Sequence, residues 1–178
     1  LGFTVWFDII ANGKKLIRRE MPRRWWFTRL KLQSKLAIIM TILLIISGAV
    51  FVFLAEYDNP ETLGNLSLGN KVMASFFQSV TNRTAGFATI SQNALHTESK
   101  LFHCILMFIG GSPGGTAGGV KTTTIAMLFL ACLTFVRGGN DTECMGKKIS
   151  VENFRTGFCV VMAAFSVFTV GTIAILII

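Results

Sequence analysis

The chain has 178 residues, of which 52% are apolar and only 15% are charged. Soluble domains carry about 25% charged residues, so this composition argues against both a disordered chain and an ordinary cytosolic domain. The net charge is +8, and residues 11–35, with nine basic residues and one acidic residue, account for all of it. One basic block beside a long apolar run is typical of a cytoplasmic loop, and no nucleic-acid-binding module accompanies the charge.

The first long apolar run, Leu36–Leu54, has 19 residues and no charge. A helix of that length spans about 30 Å of hydrocarbon, so we predict a membrane-spanning helix. Because the basic block precedes it, the helix is expected to run from the inside to the outside. The acidic, turn-rich residues 56–65 that follow suit an external loop.

A short helix is predicted over Lys71–Asn82, where apolar residues recur at a spacing of three to four. Twelve residues are too few to cross a bilayer. Since this segment lies between a span that runs outward and one that runs inward, both of its ends must be outside. We therefore predict a re-entrant helix, followed by an extended return over Arg83–Phe87.

The return segment contains Thr84-Ala-Gly-Phe87, which has the Thr-x-Gly-aromatic form of a potassium filter. A dehydrated cation requires several carbonyl oxygens that point at one axis, and we predict that Thr84, Ala85 and Gly86 supply them. Gly86 permits backbone angles that other residues resist. Taken alone, the tetrapeptide also fits an ordinary surface turn, and only its place between two spans favours the filter.

Three neighbours are predicted to support this filter. The short helix would direct its negative C-terminal end, near Asn82, toward the ion. Arg83 is unfavourable beside a cation, so we expect it to point behind the filter, toward the helix end or an acid such as Glu56 or Asp58. Phe87 closes the motif.

The second long apolar run, Leu101–Val136, has 36 residues and a single charge, Lys121. Its middle holds six glycines and a proline within ten residues, which excludes a regular helix there. We predict a helix over 101–109, a loop over 110–120 and a helix over 121–136. Irregular backbone at membrane depth is tolerated only against protein or a water-filled cavity, so this pattern favours a transport pathway.

The third apolar run is Thr156–Ile178, and the mixed polar stretch before it is expected on the inside. The four cysteines form no C-x-x-C pair, and three of them lie in apolar stretches, where buried free thiols are expected. The two histidines are isolated. The sequence therefore predicts neither a metal-binding cluster nor a catalytic acid or base, and we expect no enzymatic activity.

Three stretches resemble the third repeat of the Trk/Ktr/HKT superfamily, specifically the membrane subunit of the bacterial Ktr type: Ser79–Phe87, Gly111–Thr124, and Leu36–Leu54 behind its basic linker. The resemblance covers the whole chain. It implies an all-α integral membrane fold that is a fragment of a four-repeat pore. The implied segments are the end of the preceding repeat's second helix (1–10), a basic cytoplasmic linker (11–35), a helix–pore loop–broken helix repeat (36–136), a cytoplasmic connector (137–152) and the first helix of the next repeat (153–178).

The resemblance also implies a function, which is potassium uptake through a channel-like pore with one filter glycine per repeat, here Gly86. Asn82 departs mildly from the threonine expected at its position. An intramembrane loop below the filter is implied as the gate, and it comprises Gly110, Gly111, Ser112, Pro113, Gly114, Gly115, Thr116, Ala117, Gly118, Gly119 and, at its end, Lys121.

The partners implied are the remaining repeats of a longer chain, a second copy in a homodimer, a cytosolic nucleotide-binding regulatory ring, and the lipid bilayer of a bacterial inner membrane, crossed several times. K⁺ is the transported ion, and no other cofactor is implied. The basic block is also suited to acidic lipid headgroups.

Two other functions remain open from the sequence. Gly118-Gly-Val-Lys-Thr-Thr-Thr124 is similar to a nucleotide-binding P-loop, although Val120 separates the glycine from Lys121 and no strand is predicted before it. A membrane anchor or scaffold would explain the apolar runs but not the glycine-rich break. Lys121 itself is either a loop-pinning lysine or a cation barrier in the closed path.

Overall fold

The computed structural model describes residues 1–18, 22, 26–138, 143–144, 147–148 and 151–177. Parts of the predicted linker 11–35 and of the predicted connector 137–152 therefore lie outside the described residues. The chain divides into two compact units, Leu1–Thr122 and Thr123–Ile178.

The first unit contains five helices among its described residues: α1 (Phe3–Ile17), α2 (Trp26–Arg29), α3 (Leu32–Ala55), α4 (Leu68–Thr81) and α5 (Thr97–Phe108). Helix α6 (Thr122–Val136) begins where this unit ends. The second unit continues with a minimal antiparallel hairpin and a long helix: β1 (Glu143–Cys144), β2 (Lys147–Lys148) and α7 (Val151–Ile177). The fold is thus all-α, as predicted, apart from two strands of two residues each.

The helices fall where the apolar patterns place them, with displaced ends. The predicted helix 36–54 is observed as α3, which begins four residues earlier, and the short helix predicted over 71–82 is observed as α4. The glycine-rich break separates α5 from α6 as expected. Helix α1 continues to Ile17, beyond the end predicted at residue 10, and Gly13 lies inside it.

Among the described residues, two helical stretches are long and apolar enough to cross a membrane, Leu32–Ala55 and Phe154–Ile175. Their mean hydropathies are 2.9 and 2.3. Helix α6 is similarly apolar but shorter, with 15 residues.

Helix α3 is the scaffold of the first unit. It crosses α4 closely at Gly48, where an added Cβ would lie 2.3 Å from the Ser79 hydroxyl oxygen. That hydroxyl donates to the Ile45 carbonyl at 2.8 Å. On another side of α3, Phe51 stacks on Phe102 of α5 with ring centroids 4.0 Å apart. A small apolar core of Val52, Leu63, Ile90 and Leu95 packs around the C-terminal end of α3.

The prediction of buried cysteines is wrong for the three whose side chains are described. Cys104, Cys132 and Cys159 carry free thiols and are exposed within the chain. All three lie on apolar helices, α5, α6 and α7. In a membrane protein the apolar surroundings include lipid and neighbouring helices, so an apolar stretch does not imply burial within the chain itself.

Candidate functional site

Helix α4 places its polar side against the rest of the unit and its apolar side outward. Ser75, Gln78 and Ser79 are at most 1% exposed, whereas Val72 is 53% and Met73 is 73% exposed. A soluble amphipathic helix does the opposite. An exposed apolar helix face of this kind marks a contact surface for further apolar structure.

The segment after α4, residues 83–87, turns back through two left-handed positions. Thr84 has φ 69° and Gly86 has φ 81°. A positive φ suits glycine but is a strained conformation for a β-branched residue, at about 1–3 kcal/mol. Residues 84–87 are all exposed. The strained conformation therefore lies on the surface of the unit, at the predicted filter.

The hydroxyl of Thr81 holds this segment closed. Thr81 Oγ1 accepts a hydrogen bond from the Phe87 backbone N–H at 2.9 Å and donates to the Phe87 carbonyl. The Thr81 carbonyl also accepts from the Ala85 N–H at 3.0 Å. Thr81 thus joins the two ends of the reversal, and this role was not predicted from the sequence. Its signal was a hydroxyl at the last turn of a short helix, just before a glycine-containing turn.

The three predicted filter residues keep their carbonyl oxygens out of the internal hydrogen-bond network. In the described part of the chain, no hydrogen bond ends on the carbonyl of Thr84, Ala85 or Gly86. These three successive acceptors, which lie in exposed residues and have no donor among the described residues, are available to water or to a cation.

Behind this segment lies a buried amide network. Gln78 is fully buried, and its Nε2 donates to Gln92 Oε1 at 2.9 Å and to Asn82 Oδ1 at 3.5 Å. Asn82 is 2% exposed and caps α4. Asn82 lies at the negative end of the helix, and its support of the filter stays a prediction. The contribution of Gln78 was not predicted.

Among the described residues, the Arg83 side chain hydrogen-bonds neither the helix end nor an acid such as Glu56 or Asp58, the two directions that we expected. Its Nη2 donates to the Gly110 carbonyl at 3.1 Å, and its side chain is half-buried. The Glu56 carboxylate instead accepts hydrogen bonds from the Asn59 side chain, the Thr62 hydroxyl and the His96 N–H. The hydrogen bond to Gly110 joins Arg83 to a residue 27 positions away in the chain, which local spacing does not reveal.

Gly110 opens the glycine-rich loop (residues 110–120), whose two limbs are in backbone contact. Ile109 and Val120 form a parallel bridge, and the Val120 N–H donates to the Phe108 carbonyl at 2.9 Å. A Cβ on Gly110 would lie 1.5 Å from the Gly118 carbonyl oxygen. Gly119 has φ +72°, and a Cβ there would meet three backbone atoms at 2.8 Å. Only glycine fits these two positions.

The glycine-rich loop lies against the 83–87 segment at a second point. A Cβ on Gly118 would be 3.9 Å from Thr84 Cγ2. The structure therefore brings the predicted filter and the predicted gate together through two residue pairs, Arg83 with Gly110 and Thr84 with Gly118.

Other residues hold the loop's middle and its end. Ser112 Oγ accepts from the Gly2 N–H at 2.6 Å, and the Gly114 carbonyl accepts from the Phe3 N–H at 3.0 Å, at the start of α1. Lys121 Nζ donates to the Ala117 carbonyl at 2.8 Å. This last contact favours the loop-pinning role of Lys121.

The residue that follows α3, Glu56, is fully buried. Burial raises the pKa of this carboxyl, but the neighbouring Ser99 hydroxyl and the hydrogen bonds from the His96 N–H, Asn59 and Thr62 outweigh that effect and lower the pKa below its ordinary value of 4.5. Lys71 ties α4 to the same region, since its Nζ donates to the Tyr57 carbonyl at 2.8 Å and lies 3.9 Å from the centre of the Tyr57 ring. These contacts fix the outer end of α4.

The arrangement does not support a nucleotide-binding P-loop. Such a loop follows a β-strand and opens a helix, and its backbone N–H groups cradle phosphate. Here the helix α5 precedes the glycine-rich loop, and the Val120 N–H is engaged with Phe108.

A turn with free carbonyls after a short helix, beside a glycine-rich break between two apolar helices, is typical of membrane transport proteins. The family described as "TrkH: Cation transport protein" matches residues 1–178. The chain therefore belongs to the TrkH family of cation transport proteins, and the resemblance noted from its motifs is confirmed.

Curated relatives share about a third of their residues with the chain where they align. It is 34% identical over 149 residues to the Ktr system potassium uptake protein B of Bacillus subtilis, covering 84% of this chain and 31% of that protein. It is 36% identical over 137 residues to the protein of the same name from Vibrio alginolyticus, covering 77% of this chain and 28% of that protein. It is 34% identical over 149 residues to the potassium/sodium uptake protein NtpJ of Enterococcus hirae, covering 84% of this chain and 30% of that protein.

Among solved structures, the potassium transporter TrkH from Vibrio parahaemolyticus matches with a TM-score of 0.64 at 20% identity. The match covers 95% of this chain and 33% of that one, and it shows a shared fold. The chain thus spans about a third of the length of the proteins that it matches.

Proposed function

We propose that this chain forms one repeat of a pore through which a longer protein takes up potassium, with K⁺ as the transported ion. The family is one of cation transport proteins, and the relatives named above are potassium or potassium/sodium uptake proteins. Transport of this kind is passive binding and release along a path, with no covalent chemistry.

The filter proposal assigns the carbonyl oxygens of Thr84, Ala85 and Gly86 as ion ligands. The observation that carries it is that these three successive acceptors are exposed and receive no hydrogen bond from the described residues. An ion that sheds water must find oxygens of comparable number and dipole, and backbone carbonyls held at fixed angles supply them. Asn82, Arg83 and Phe87 support the segment from behind, together with Thr81.

The gate proposal assigns the glycine-rich loop, with Lys121 at its end. It is supported by the hydrogen bond from Arg83 to the Gly110 carbonyl and by the position of Gly118, where an added Cβ would lie 3.9 Å from Thr84 Cγ2, because both limbs then lie beside the proposed filter. Its compactness depends on glycine–glycine backbone contact rather than on side-chain packing. A loop of that kind can part without disrupting a hydrophobic core.

One repeat cannot enclose a pore, so the remaining repeats of the longer chain complete it. The outward apolar face of α4 supports this assembly, since Val72, Met73 and Phe76 are each more than half exposed. In this proposal residues 36–136 are the third repeat, 1–10 end the preceding one, 11–35 and 137–152 are cytoplasmic, and 153–178 begin the next. The whole protein then spans a bacterial inner membrane several times, forms a homodimer and binds a cytosolic nucleotide-binding ring.

A membrane anchor or scaffold is the weaker account. An anchor requires only apolar length, and nothing in it explains a strained threonine or a glycine-rich loop whose limbs touch that threonine's segment. Complementation separates the two accounts. The full-length parent should restore growth of a potassium-uptake-deficient bacterium at low external potassium; failure of a correctly inserted protein to restore it would favour the anchor.

A further inference from the structure

Arg83 joins the proposed filter to the proposed gate through a single side chain. Its own N–H donates to the Val80 carbonyl at 3.2 Å, which fixes its backbone to the end of α4. Its Nη2 reaches the carbonyl of Gly110, 27 residues further along the chain. The next residue, Thr84, is the first proposed ion ligand.

A fixed positive charge beside a cation pathway requires a reason. Repulsion between two unit charges is strong where water is scarce, so a guanidinium free to approach the filter would oppose ion entry. The hydrogen bond to Gly110 draws the charge away from the exposed side of the segment. The charge is thereby used to hold the base of the glycine-rich loop.

The position of that hydrogen bond on the loop is equally specific. Gly110 is where the two limbs meet backbone to backbone, against Gly118. A Cβ on Gly118, in the second limb, would lie 3.9 Å from Thr84 Cγ2. Separation of the limbs at Gly110 and Gly118 therefore changes the surroundings of Arg83, Thr84 or both.

We propose that Arg83 is a positioning residue that couples the gate to the filter. Its hydrogen bond to Gly110 stabilises the closed loop, and that hydrogen bond breaks when the limbs part. The coupling is reciprocal, because a change at the filter that moves Arg83 must also change the stability of the closed loop. This inference rests on the proposed function and adds a residue to its mechanism.

A double-mutant cycle in the full-length transporter tests the coupling. The variants are Arg83→Met, Arg83→Lys and the control Lys100→Met, each with an intact loop and with residues Ser112–Ala117 deleted. Lys100, in the first turn of α5, also donates to a backbone carbonyl, that of Asn93 at 2.9 Å. The measurement is ⁸⁶Rb⁺ uptake into proteoliposomes, normalised to protein that elutes as a single assembled species.

With an intact loop, Arg83→Met should raise uptake about tenfold, the scale of losing one hydrogen bond from a charged donor. Arg83→Lys should restore most of the closed state, and Lys100→Met should leave uptake unchanged. In the deleted background Arg83→Met should change uptake by less than about twofold, since the partner loop is already disabled.

Equal effects of Arg83→Met in both backgrounds would overturn the coupling and leave Arg83 a merely structural residue. If the deletion raises uptake and Arg83→Met does not, only the coupling fails. If the deletion itself leaves uptake unchanged, the proposed gate fails, and the coupling fails with it. If Arg83→Met does not assemble, Arg83→Gln replaces it, since the uncharged glutamine amide has a shorter reach. The results that support and that overturn the coupling are then the same as for Arg83→Met.

Discussion

The hydroxyl of Thr81 bonds both backbone groups of Phe87, accepting from its N–H and donating to its carbonyl. One side chain thus closes a seven-residue reversal in which Thr84 and Gly86 adopt left-handed angles. The strained turn persists because the residues at its two ends are held together, as is general for strain at functional sites.

Replacing Thr81 by valine keeps the shape of the side chain and removes the hydroxyl. We expect a loss of about 1–3 kcal/mol in the stability of the closed turn, because the Phe87 N–H and carbonyl both lose their partner. Potassium-over-sodium selectivity should fall in ⁸⁶Rb⁺ uptake measured against competing sodium. Thr81→Ser, which keeps the hydroxyl, is the matched control and should retain selectivity; equal losses in the two variants would contradict the role of the hydroxyl.

Gly86 has a φ of 81° in open space, where an added Cβ meets nothing within 4 Å. Gly86→Ser is therefore free of steric conflict, and its penalty comes from the left-handed backbone alone, at about 1–2 kcal/mol. The protein should fold and insert normally but discriminate potassium from sodium less well. Undiminished selectivity in the same uptake assay would remove Gly86 from the filter.

Deleting residues Ser112–Ala117 removes the middle of the glycine-rich loop while keeping its two limbs. Because this loop is the proposed gate, we expect uptake of ⁸⁶Rb⁺ into proteoliposomes to rise. A folded transporter with unchanged uptake would refute gating.

A point substitution tests the same gate without shortening the chain. Gly110→Ala places a Cβ within 1.5 Å of the Gly118 carbonyl oxygen, so the limbs must separate. We expect raised uptake together with a lower melting temperature. Gly13→Ala is the control, since a Cβ at Gly13 in α1 meets nothing within 4 Å. Normal uptake by assembled Gly110→Ala protein would show that the close contact of the limbs is not the closed gate.

The buried carboxyl of Glu56 is expected to make the stability of the protein depend on pH. Since hydrogen bonds hold its pKa below 4.5 in the folded state, the ionised carboxylate contributes stability above pH 4.5, and that contribution disappears as the pH falls through the lower folded value. At pH 7, Glu56→Gln should lower the free energy of unfolding by roughly 2 kcal/mol and the melting temperature with it. On acidification, the variant should lose less stability than the parent does.

The control for that experiment is Glu61→Gln, because Glu61 is exposed and its side chain is not part of this network. It should melt like the parent at each pH from 7 down to values below the folded pKa of Glu56. Parallel melting curves for Glu56→Gln and the parent across this range would contradict the role of the buried carboxylate.

Local patterns predicted the helices well. The uncharged run 36–54 specifies α3 because no polar face is required in lipid, and the six glycines of 110–119 break the next span because helix formation there is unfavourable. The 3–4 spacing of apolar residues located α4 but not its orientation. In a membrane protein the outward side is also apolar, so periodicity leaves open which face is buried within the unit.

The contacts that define the site were harder to predict. Thr81 acts only because the chain returns to it six residues later, and Arg83 finds its acceptor 27 residues away. Charge suggested a carboxylate partner for Arg83, but buried backbone carbonyls also accept strongly from a guanidinium. Such pairings depend on how the chain folds back and are not encoded in local spacing.

The most direct test of the account is the position of a permeant ion in the full-length transporter. Crystals grown in rubidium should show anomalous density on the pore axis, within coordination distance of the carbonyl oxygens of Thr84, Ala85 and Gly86. Ordered rubidium density elsewhere along the pore, with those three oxygens turned away from the axis, would contradict the central claim.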